Sequence, residues 1–295
     1  MSTQIYQIIT DRVCAMLEAG TIPWRKGWAG SDVAAASAVS KKEYRGINQF
    51  LLRAAGFASP FWMSFNQAKE RGAMIRKGEK GMPVVFWKQY EREEQDGTKR
   101  RVPVLRYYTV FNVAQIDGLR MEFPEPEIKE HRPIEEAEAI IANMPNRPAI
   151  IHGEARAFYR PPLDVVNLPA PGLFDMPEEY YGTAFHELTH STGHETRLNR
   201  RPSTEPRKFG DPDYAREELV AEMGSAFLCG VCGIERATLE NSAAYIANWL
   251  QALRNDPKAV VIAAAQAQRA ADYIRGIIYT ASSTEAEPVN LDVAA

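Results

Sequence analysis

The chain has 295 residues, of which 45% are apolar, 25% charged and 10% aromatic. This composition excludes a wholly disordered or fibrous protein and leaves room for two folded domains. No run approaches the roughly 18 to 20 uncharged apolar residues that span a bilayer, and the first residues lack the pattern of a secretion signal. Three cysteines are too few for a disulfide framework, so we expect a cytoplasmic protein without membrane contact.

The net charge of −3 hides an opposition between the two parts of the chain. Residues 1–127 carry 19 Lys and Arg against 14 Asp and Glu, a net charge of +5, whereas the later residues carry 16 against 24, a net charge of −8. A basic part joined to an acidic part is typical of a protein with two tasks. The basic part is the one expected to meet a polyanion.

The N-terminal part begins with short helices. Apolar residues recur at three-to-four spacing over residues 3–18, which predicts an amphipathic helix, and two shorter helices are predicted after Gly46 and Ser64. Residues 29–40 are rich in Ala, Ser and Gly, and we expect them to be mobile because they offer little to bury.

Two strands are predicted next, over residues 83–88 and 106–113, because both segments are β-branched and aromatic. Asp96-Gly97 lies between them and is a strong turn signal, which predicts a long β-hairpin. The first domain, over residues 1–127, is therefore predicted to be α+β around this hairpin.

Prolines and charges at residues 121–133 mark a linker, which we place at 128–133. The second domain, over residues 134–280, is predicted to be mainly helical with a small sheet, and a flexible tail is predicted at 281–295. The predicted helices of this domain cover residues 134–143, 177–192, 213–232, 241–254 and 256–278, and its predicted strands cover 149–153, 157–160 and 164–168.

The most specific motif is His186-Glu187-Leu188-Thr189-His190, the H-E-x-x-H arrangement of zinc metallopeptidases. On a helix, residues four apart share one face, so His186 and His190 can hold one cation while Glu187 points at its open ligand position. A bound Zn²⁺ lowers the pKa of its water to about 7, and Glu187 can take the proton as that water attacks a carbonyl. The motif therefore predicts a metal site with Glu187 as the catalytic base. The alternative is a purely structural role, in which the two histidines are core residues and the glutamates are solvated.

A third ligand is available from a later helix, where Glu218 and Glu222 lie four residues apart on one face. The pattern Glu-x-x-x-Glu followed by small residues resembles the third-ligand helix of the gluzincin group of peptidases. By that resemblance Glu218 ligates the metal and Glu222 accepts a hydrogen bond from a ligating histidine. The reverse assignment stays open, because Glu222 lies nearer to the small residues. Such a set accepts Zn²⁺, and also Mn²⁺, cobalt or nickel.

Other completions of the site are weaker. Gly193 stands at the metzincin spacing after the motif, but the position of the third metzincin histidine is Thr196. His194 could ligate the metal only if the helix continued past position 193. Gly193 favours a helix end at that point. Cys229 and Cys232 lack a second cysteine pair, and we interpret them as small core residues.

The basic part is also rich in tryptophan, since four of the five tryptophans lie in the first 87 residues among many Lys and Arg. Single strands are bound by cations along the phosphates and ring faces under unstacked bases. The alternative is that the tryptophans are core residues and the charges form a solvated hairpin face. Composition alone does not choose between these interpretations.

Several motifs in chain order, among them Tyr44-Arg45-Gly46-Ile47-Asn48, resemble the N-terminal domain of ArdC-type antirestriction proteins, which is also found at the front of TraC-type plasmid primases. The other matching segments are residues 19–26, 65–68, 76–81, 84–88 and 110–115. The metal motif and residues 192–200 and 217–228 resemble that family's C-terminal zincin-like domain. The resemblance covers about residues 5 to 280.

The resemblance implies a domain that binds single-stranded DNA nonspecifically, joined to a metallopeptidase-like domain. It also implies a role in protecting incoming conjugative DNA from a host restriction system. Affinity for single strands is expected to survive removal of residues 134–295. Two functions stay open, one in which the peptidase cleaves a DNA-associated protein and one in which coating the strand is sufficient. The candidate DNA contacts are Trp24, Arg25, Lys26, Trp28, Tyr44, Arg45, Asn48, Arg76, Lys77, Lys80, Trp87 and Lys88.

Overall fold

The computed structural model describes residues 2–24, 34–93, 99–123, 133–200, 212–234 and 242–277. Its helices are α1 (Ser2–Glu18), α2 (Ile47–Ala54), α3 (Phe65–Glu70), α4 (Pro133–Ala142), α5 (Pro177–Ser191), α6 (Pro212–Cys232), α7 (Ser242–Asn255) and α8 (Ala259–Ile274). Its strands are β1 (Ala36–Ser37), β2 (Phe61–Ser64), β3 (Met74–Ile75), β4 (Met82–Glu93), β5 (Lys99–Asn112), β6 (Ile116–Asp117), β7 (Ala149–Ile151), β8 (Phe158–Arg160) and β9 (Val165–Asn167).

The N-terminal part is organised around a four-stranded sheet in the order β1-β2-β5-β4. Strands β4 and β5 form the predicted hairpin, with antiparallel pairing from Met82↔Val110 to Glu93↔Lys99. The predicted turn residues 96–97 lie outside the described residues. Strand β4 lies at the edge of this sheet, whereas β5 pairs with β4 over most of its length and with β2 through residues 110–112.

The alanine-rich segment before Ser40 corrects an expectation. Its described residues, from 34 onward, form β1, which pairs in parallel with β2. Ala36 and Ala38 are almost fully buried, and the Gln49 amide hydrogen-bonds to both the N–H and the carbonyl of Ala35. Small side chains allow the backbone to approach the sheet closely, so a composition typical of mobile chain is packed instead.

The C-terminal part is mainly helical and carries a small sheet in the order β7-β9-β8, as predicted. Helices α5 and α6 pack closely at Gly224, where an added Cβ would lie 2.5 Å from Cγ2 of Thr189. The Ser225 hydroxyl donates to the carbonyl of Gly182 across the same contact. The small residues of α6 therefore bring its glutamates against the histidine helix.

The two parts share one hydrophobic core. Trp24 meets Trp249 of α7 edge-on with ring centroids 5.2 Å apart, and Phe50 of α2 stacks on Phe227 of α6 at 4.4 Å. One cluster of buried side chains runs from α1, α2 and the hairpin into α6, α7 and α8. The predicted ranges 1–127 and 134–280 therefore bury apolar surface against each other.

Among the described residues, no helix has both the length and the apolar composition needed to cross a bilayer.

Candidate metal centre and nucleic-acid surface

Helix α5 presents the two histidines of the motif on one face. Pro177 occupies its first turn, and the buried Phe185 and Leu188 fix its orientation against the core. The Nε2 atoms of His186 and His190 lie 3.1 Å apart. Both nitrogen atoms therefore point at a common position.

Helix α6 brings Glu218 to the same position. Its carboxylate oxygens lie 3.5 Å from Nε2 of His186 and 3.4 Å from Nε2 of His190. One ligand atom from each of these three residues lies within 4.8 Å of the others. Two imidazole nitrogens and a carboxylate oxygen are a donor set that suits zinc and other first-row divalent ions, so these side chains fit such a cation.

The structure distinguishes the two glutamates that the sequence leaves in competition. Glu222 approaches His186 from the other side of the ring, with its Oε1 atom 3.7 Å from Nδ1. Glu218 lies on the Nε2 side, where the two histidines converge. The geometry therefore favours Glu218 as the candidate ligand and Glu222 as the group that orients His186.

A third glutamate was not predicted. Glu217 places its Oε1 atom 3.3 Å from Nδ1 of His190, and Arg200 donates to the same carboxylate. The only sequence signal was the position of Glu217 directly before Glu218. A helical wheel cannot assign it to His190, because that contact depends on how α6 docks on α5.

Protonation of the metal-free centre follows from its four carboxylates. Burial alone would lower the pKa of His190, but hydrogen bonds to Glu217 and Glu218 and the charges of Glu218 and Glu187 outweigh it and raise that pKa to about 9. Burial would likewise raise the pKa of Glu218, but hydrogen bonds from His186 and His190 hold it well below its usual range. The site is therefore strongly favourable for positive charge.

Glu187 is buried beside this cluster, with 8% of its surface exposed. Its negative charge contributes to the raised pKa of His190, so its carboxylate lies in the neighbourhood of that histidine. His194 lies beyond the end of α5 and contacts the Thr196 hydroxyl through Nδ1, at 2.9 Å. Cys229 and Cys232 are buried, in line with the prediction of core residues.

Three of the candidate DNA contacts have structural roles instead. Trp24 is 1% exposed and packs against Phe50, and Tyr44 is buried with its ring against Phe86. The buried Asn48 side chain bonds to both the N–H and the carbonyl of Val85 on the edge strand β4. These side chains cannot stack on bases or reach phosphates without unfolding their surroundings, so their assignment is corrected.

Other candidates keep an exposed position, while two arginines are engaged within the protein. Lys77, Lys80 and Lys88 are exposed, and Trp87 is 48% exposed. Arg45 forms an ion pair with Asp272. The Arg76 guanidinium donates hydrogen bonds to the carboxylates of Glu79 and Asp117 and to the carbonyl of Ala114. The candidates at positions 25, 26 and 28 lie outside the described residues.

The structure adds a surface that the sequence did not identify. Phe86 pairs with Arg106 across the hairpin, so both lie on one face of the sheet. On that face Lys88 and Arg106 lie over the Tyr90 ring, at 5.6 and 5.4 Å from its centroid. Phe86 also contacts Tyr108, at 5.9 Å between ring centroids. We call these five residues, Phe86, Lys88, Tyr90, Arg106 and Tyr108, the hairpin face.

Comparison with known proteins follows the same two-part division. Residues 3–111 match the family described as the N-terminal domain of anti-restriction factor ArdC, and residues 135–266 match the family described as zincin-like metallopeptidase. The chain is 38% and 37% identical to two Escherichia coli proteins named DNA primase TraC, over 91% of its length, but it spans only 27% and 20% of theirs. It is 37% identical to the uncharacterized protein y4eC of Sinorhizobium fredii (strain NBRC 101917 / NGR234), with 92% of each covered.

Two solved structures of the antirestriction protein ArdC from plasmid R388 are also similar, at 37% identity over 92% of this chain. The TM-score is 0.71 for the metal-free form, with 96% of that chain covered, and 0.72 for the Mn(II)-bound form, with 97% covered. The fold and the site thus define a protein with an N-terminal sheet domain and a C-terminal zincin-like metallopeptidase domain. Within that class, the chain belongs to the ArdC-type antirestriction family.

Proposed function

We propose that this chain is an antirestriction protein that binds single-stranded DNA and carries a metal-dependent peptidase centre, and that it protects incoming DNA from host restriction in the cytoplasm. The observation that carries the proposal is the convergence of His186, His190 and Glu218 beside a buried Glu187, in a chain of the ArdC type. The three cysteines are not joined in a disulfide, which fits the reducing compartment in which incoming DNA would be met.

In this proposal His186, His190 and Glu218 hold the cation, either Zn²⁺ or Mn²⁺. A bound divalent cation supplies Lewis acidity and makes water a nucleophile near neutral pH. Glu187 accepts the proton of the attacking water and can return it to the leaving amine. Glu222 holds the imidazole of His186 in orientation through its Nδ1 atom.

The proposed DNA surface is the hairpin face, together with the two exposed lysines Lys77 and Lys80. Trp87 is exposed but pairs with Leu105, so it lies on the opposite face of the sheet and is a separate candidate contact. Rings and cations alternate on the hairpin face, which suits unstacked bases and the phosphates between them. No base-specific hydrogen bonding is required for this mode, so we infer binding without sequence preference.

A second candidate function is a peptidase whose main role is to cleave a protein attached to DNA. Three candidate protein ligands leave a coordination position for water, and Glu187 is available as a base, which favours hydrolysis over a purely structural ion. If protection does not depend on hydrolysis, coating of the entering DNA strand alone provides it. The hairpin face is the observation that favours this binding account.

The substitution Glu187→Gln separates these functions. We expect peptide hydrolysis to fall by at least about 100-fold, because the general base is lost while its shape is kept. Metal content and affinity for single-stranded DNA should not change, and protection of transferred DNA should be lost. Glu178→Gln, at the start of the same helix, is the matched control and should behave as wild type.

The deciding measurement is the survival of conjugatively transferred DNA in a host that carries a restriction system. If the Glu187→Gln protein protects transferred DNA as well as wild type does, hydrolysis is not the means of protection and the binding account stands. If wild-type protein holds no divalent metal at all, the assignment of the centre itself is wrong.

A further inference from the structure

Behind His190 lies a buried ion pair that the proposed reaction does not use directly. The Glu217 carboxylate faces Nδ1 of His190, the ring nitrogen that points away from the candidate metal position. Arg200 binds both oxygens of that carboxylate, through Nη2 at 2.8 Å and Nε at 3.3 Å. The side chains of Glu217 and Arg200 are each 8% exposed.

Arg200 is itself fixed to the histidine helix. Its guanidinium donates to the carbonyl of Thr189 at 2.6 Å and to the hydroxyl of Thr192. One side chain thus connects the end of α5 to the carboxylate on α6. Because a guanidinium is planar and binds bidentately, the position of Glu217 is set by two helices at once.

We propose that Glu217, held in place by Arg200, is the positioning residue for His190 and sets the affinity of the centre for its divalent cation. The inference rests on the proposed metal site and deepens it. A ligating imidazole needs an acceptor for its second ring N–H, which selects the tautomer and fixes the ring plane. Glu217 supplies that acceptor for His190, as Glu222 does for His186.

The alternative is that the pair only holds α5 and α6 together. Buried ion pairs often add little net stability, whereas removal of one partner is costly because a charge is left uncompensated. Single substitutions therefore confuse the two roles. Two double variants, Glu217→Ala with Arg200→Met and Glu217→Gln with Arg200→Met, both remove the ion pair, and only the second keeps an acceptor for His190.

The experiment measures Zn²⁺ affinity of the full chain by competition with a chromophoric chelator, and records the visible spectrum of the Co²⁺-loaded protein. We expect the Glu217→Ala double variant to bind Zn²⁺ about 10 to 100 times more weakly than wild type, with an altered Co²⁺ spectrum. The Glu217→Gln double variant should recover most of the affinity and a spectrum close to that of wild type, because the amide oxygen still accepts the imidazole N–H.

The matched control is Arg216→Met, since Arg216 is the exposed neighbour on α6 and pairs with Asp256 away from the centre. It should leave Zn²⁺ affinity unchanged. Equal affinity of the two double variants would overturn the inference, as would wild-type affinity in the Glu217→Ala pair. If the double variants fail to fold by circular dichroism, the single variants Glu217→Gln and Glu217→Ala are compared with each other and not with wild type, because loss of the ion pair is common to both and the difference between them again reports the acceptor. A wild-type chain that binds no Zn²⁺ would instead refute the proposed metal site.

Discussion

At the scale of single residues, His190 carries the clearest consequence for solution behaviour. Its hydrogen bonds to Glu217 and Glu218 raise its pKa to about 9 in the metal-free protein, against the burial that would lower it. The imidazole is therefore protonated at neutral pH. A cation can bind Nε2 only after that proton leaves, so metal uptake and proton release are coupled.

We predict that metal affinity rises with pH below about 9, by close to tenfold per pH unit for the single proton of His190. Calorimetric titration in buffers of different ionisation enthalpy would measure the released proton directly. In the metal-free protein the same raised pKa stabilises the fold fully below about pH 6.5, and this contribution is lost as pH rises through about 9. The pH values 6.5 and 8.5 both lie below about 9. Equal metal affinity at these two pH values would therefore contradict the raised pKa of His190.

At the scale of elements, the β4–β5 hairpin carries the proposed DNA surface. Cross-strand pairing of Phe86 with Arg106 and the cations over Tyr90 place rings and charges on one face. The same pairing sends Val85 and Leu105 into the core on the opposite face. The same hairpin therefore carries both the proposed binding surface and residues of the core.

We predict that Lys88→Ala with Arg106→Ala weakens binding of an oligothymidylate and reduces the salt dependence of its affinity, by about 0.7 in slope for each phosphate that is no longer neutralised. Tyr90→Ala should cost about 1 to 3 kcal/mol, because one base can no longer stack, with little change in slope. Fluorescence anisotropy at several salt concentrations measures both effects. Arg156→Ala, an exposed arginine of the C-terminal part, is the control, and an equal loss of affinity in that variant would refute a role specific to the hairpin face.

At the scale of the whole molecule, the two parts are bound into one unit by their shared core. Trp24 and Phe50 bury their rings against Trp249 and Phe227, and Arg45 pairs with Asp272 on α8. A fragment that ends at residue 127 would expose these rings to water. The expectation that DNA binding survives removal of residues 134–295 therefore conflicts with how the chain packs.

We predict that residues 1–127 alone lack a cooperative thermal transition, because burial of each large aromatic side chain contributes about 1.5 to 3 kcal/mol and several are uncovered together. Scanning calorimetry and near-ultraviolet circular dichroism would test this. A chain lacking only residues 281–295, the predicted tail, should retain the transition of the full chain. A cooperative fragment 1–127 that binds single strands would show instead that the N-terminal part is autonomous.

Much of the fold was predictable because its signals are local. The predicted helix over residues 213–232 matches α6 (Pro212–Cys232), and the predicted short strands match β7, β8 and β9 within two residues. The prediction of mobility was wrong for residues 34–40, the described part of the alanine-rich segment, since their order comes from packing on β2 and not from their own composition. The tryptophans were ambiguous for a similar reason, because a ring that could stack on a base can equally fill a core.

The sequence by itself determined the metal motif and the family, since residues four apart on a helix must share a face whatever surrounds them. Only the tertiary structure decided which glutamate faces which nitrogen, that Trp24 is buried, and which residues share the hairpin face with Tyr90. Those outcomes depend on how α6 docks on α5 at Gly224 and on the register of two long strands. Contacts between segments far apart in the chain set them, and no local periodicity encodes such contacts.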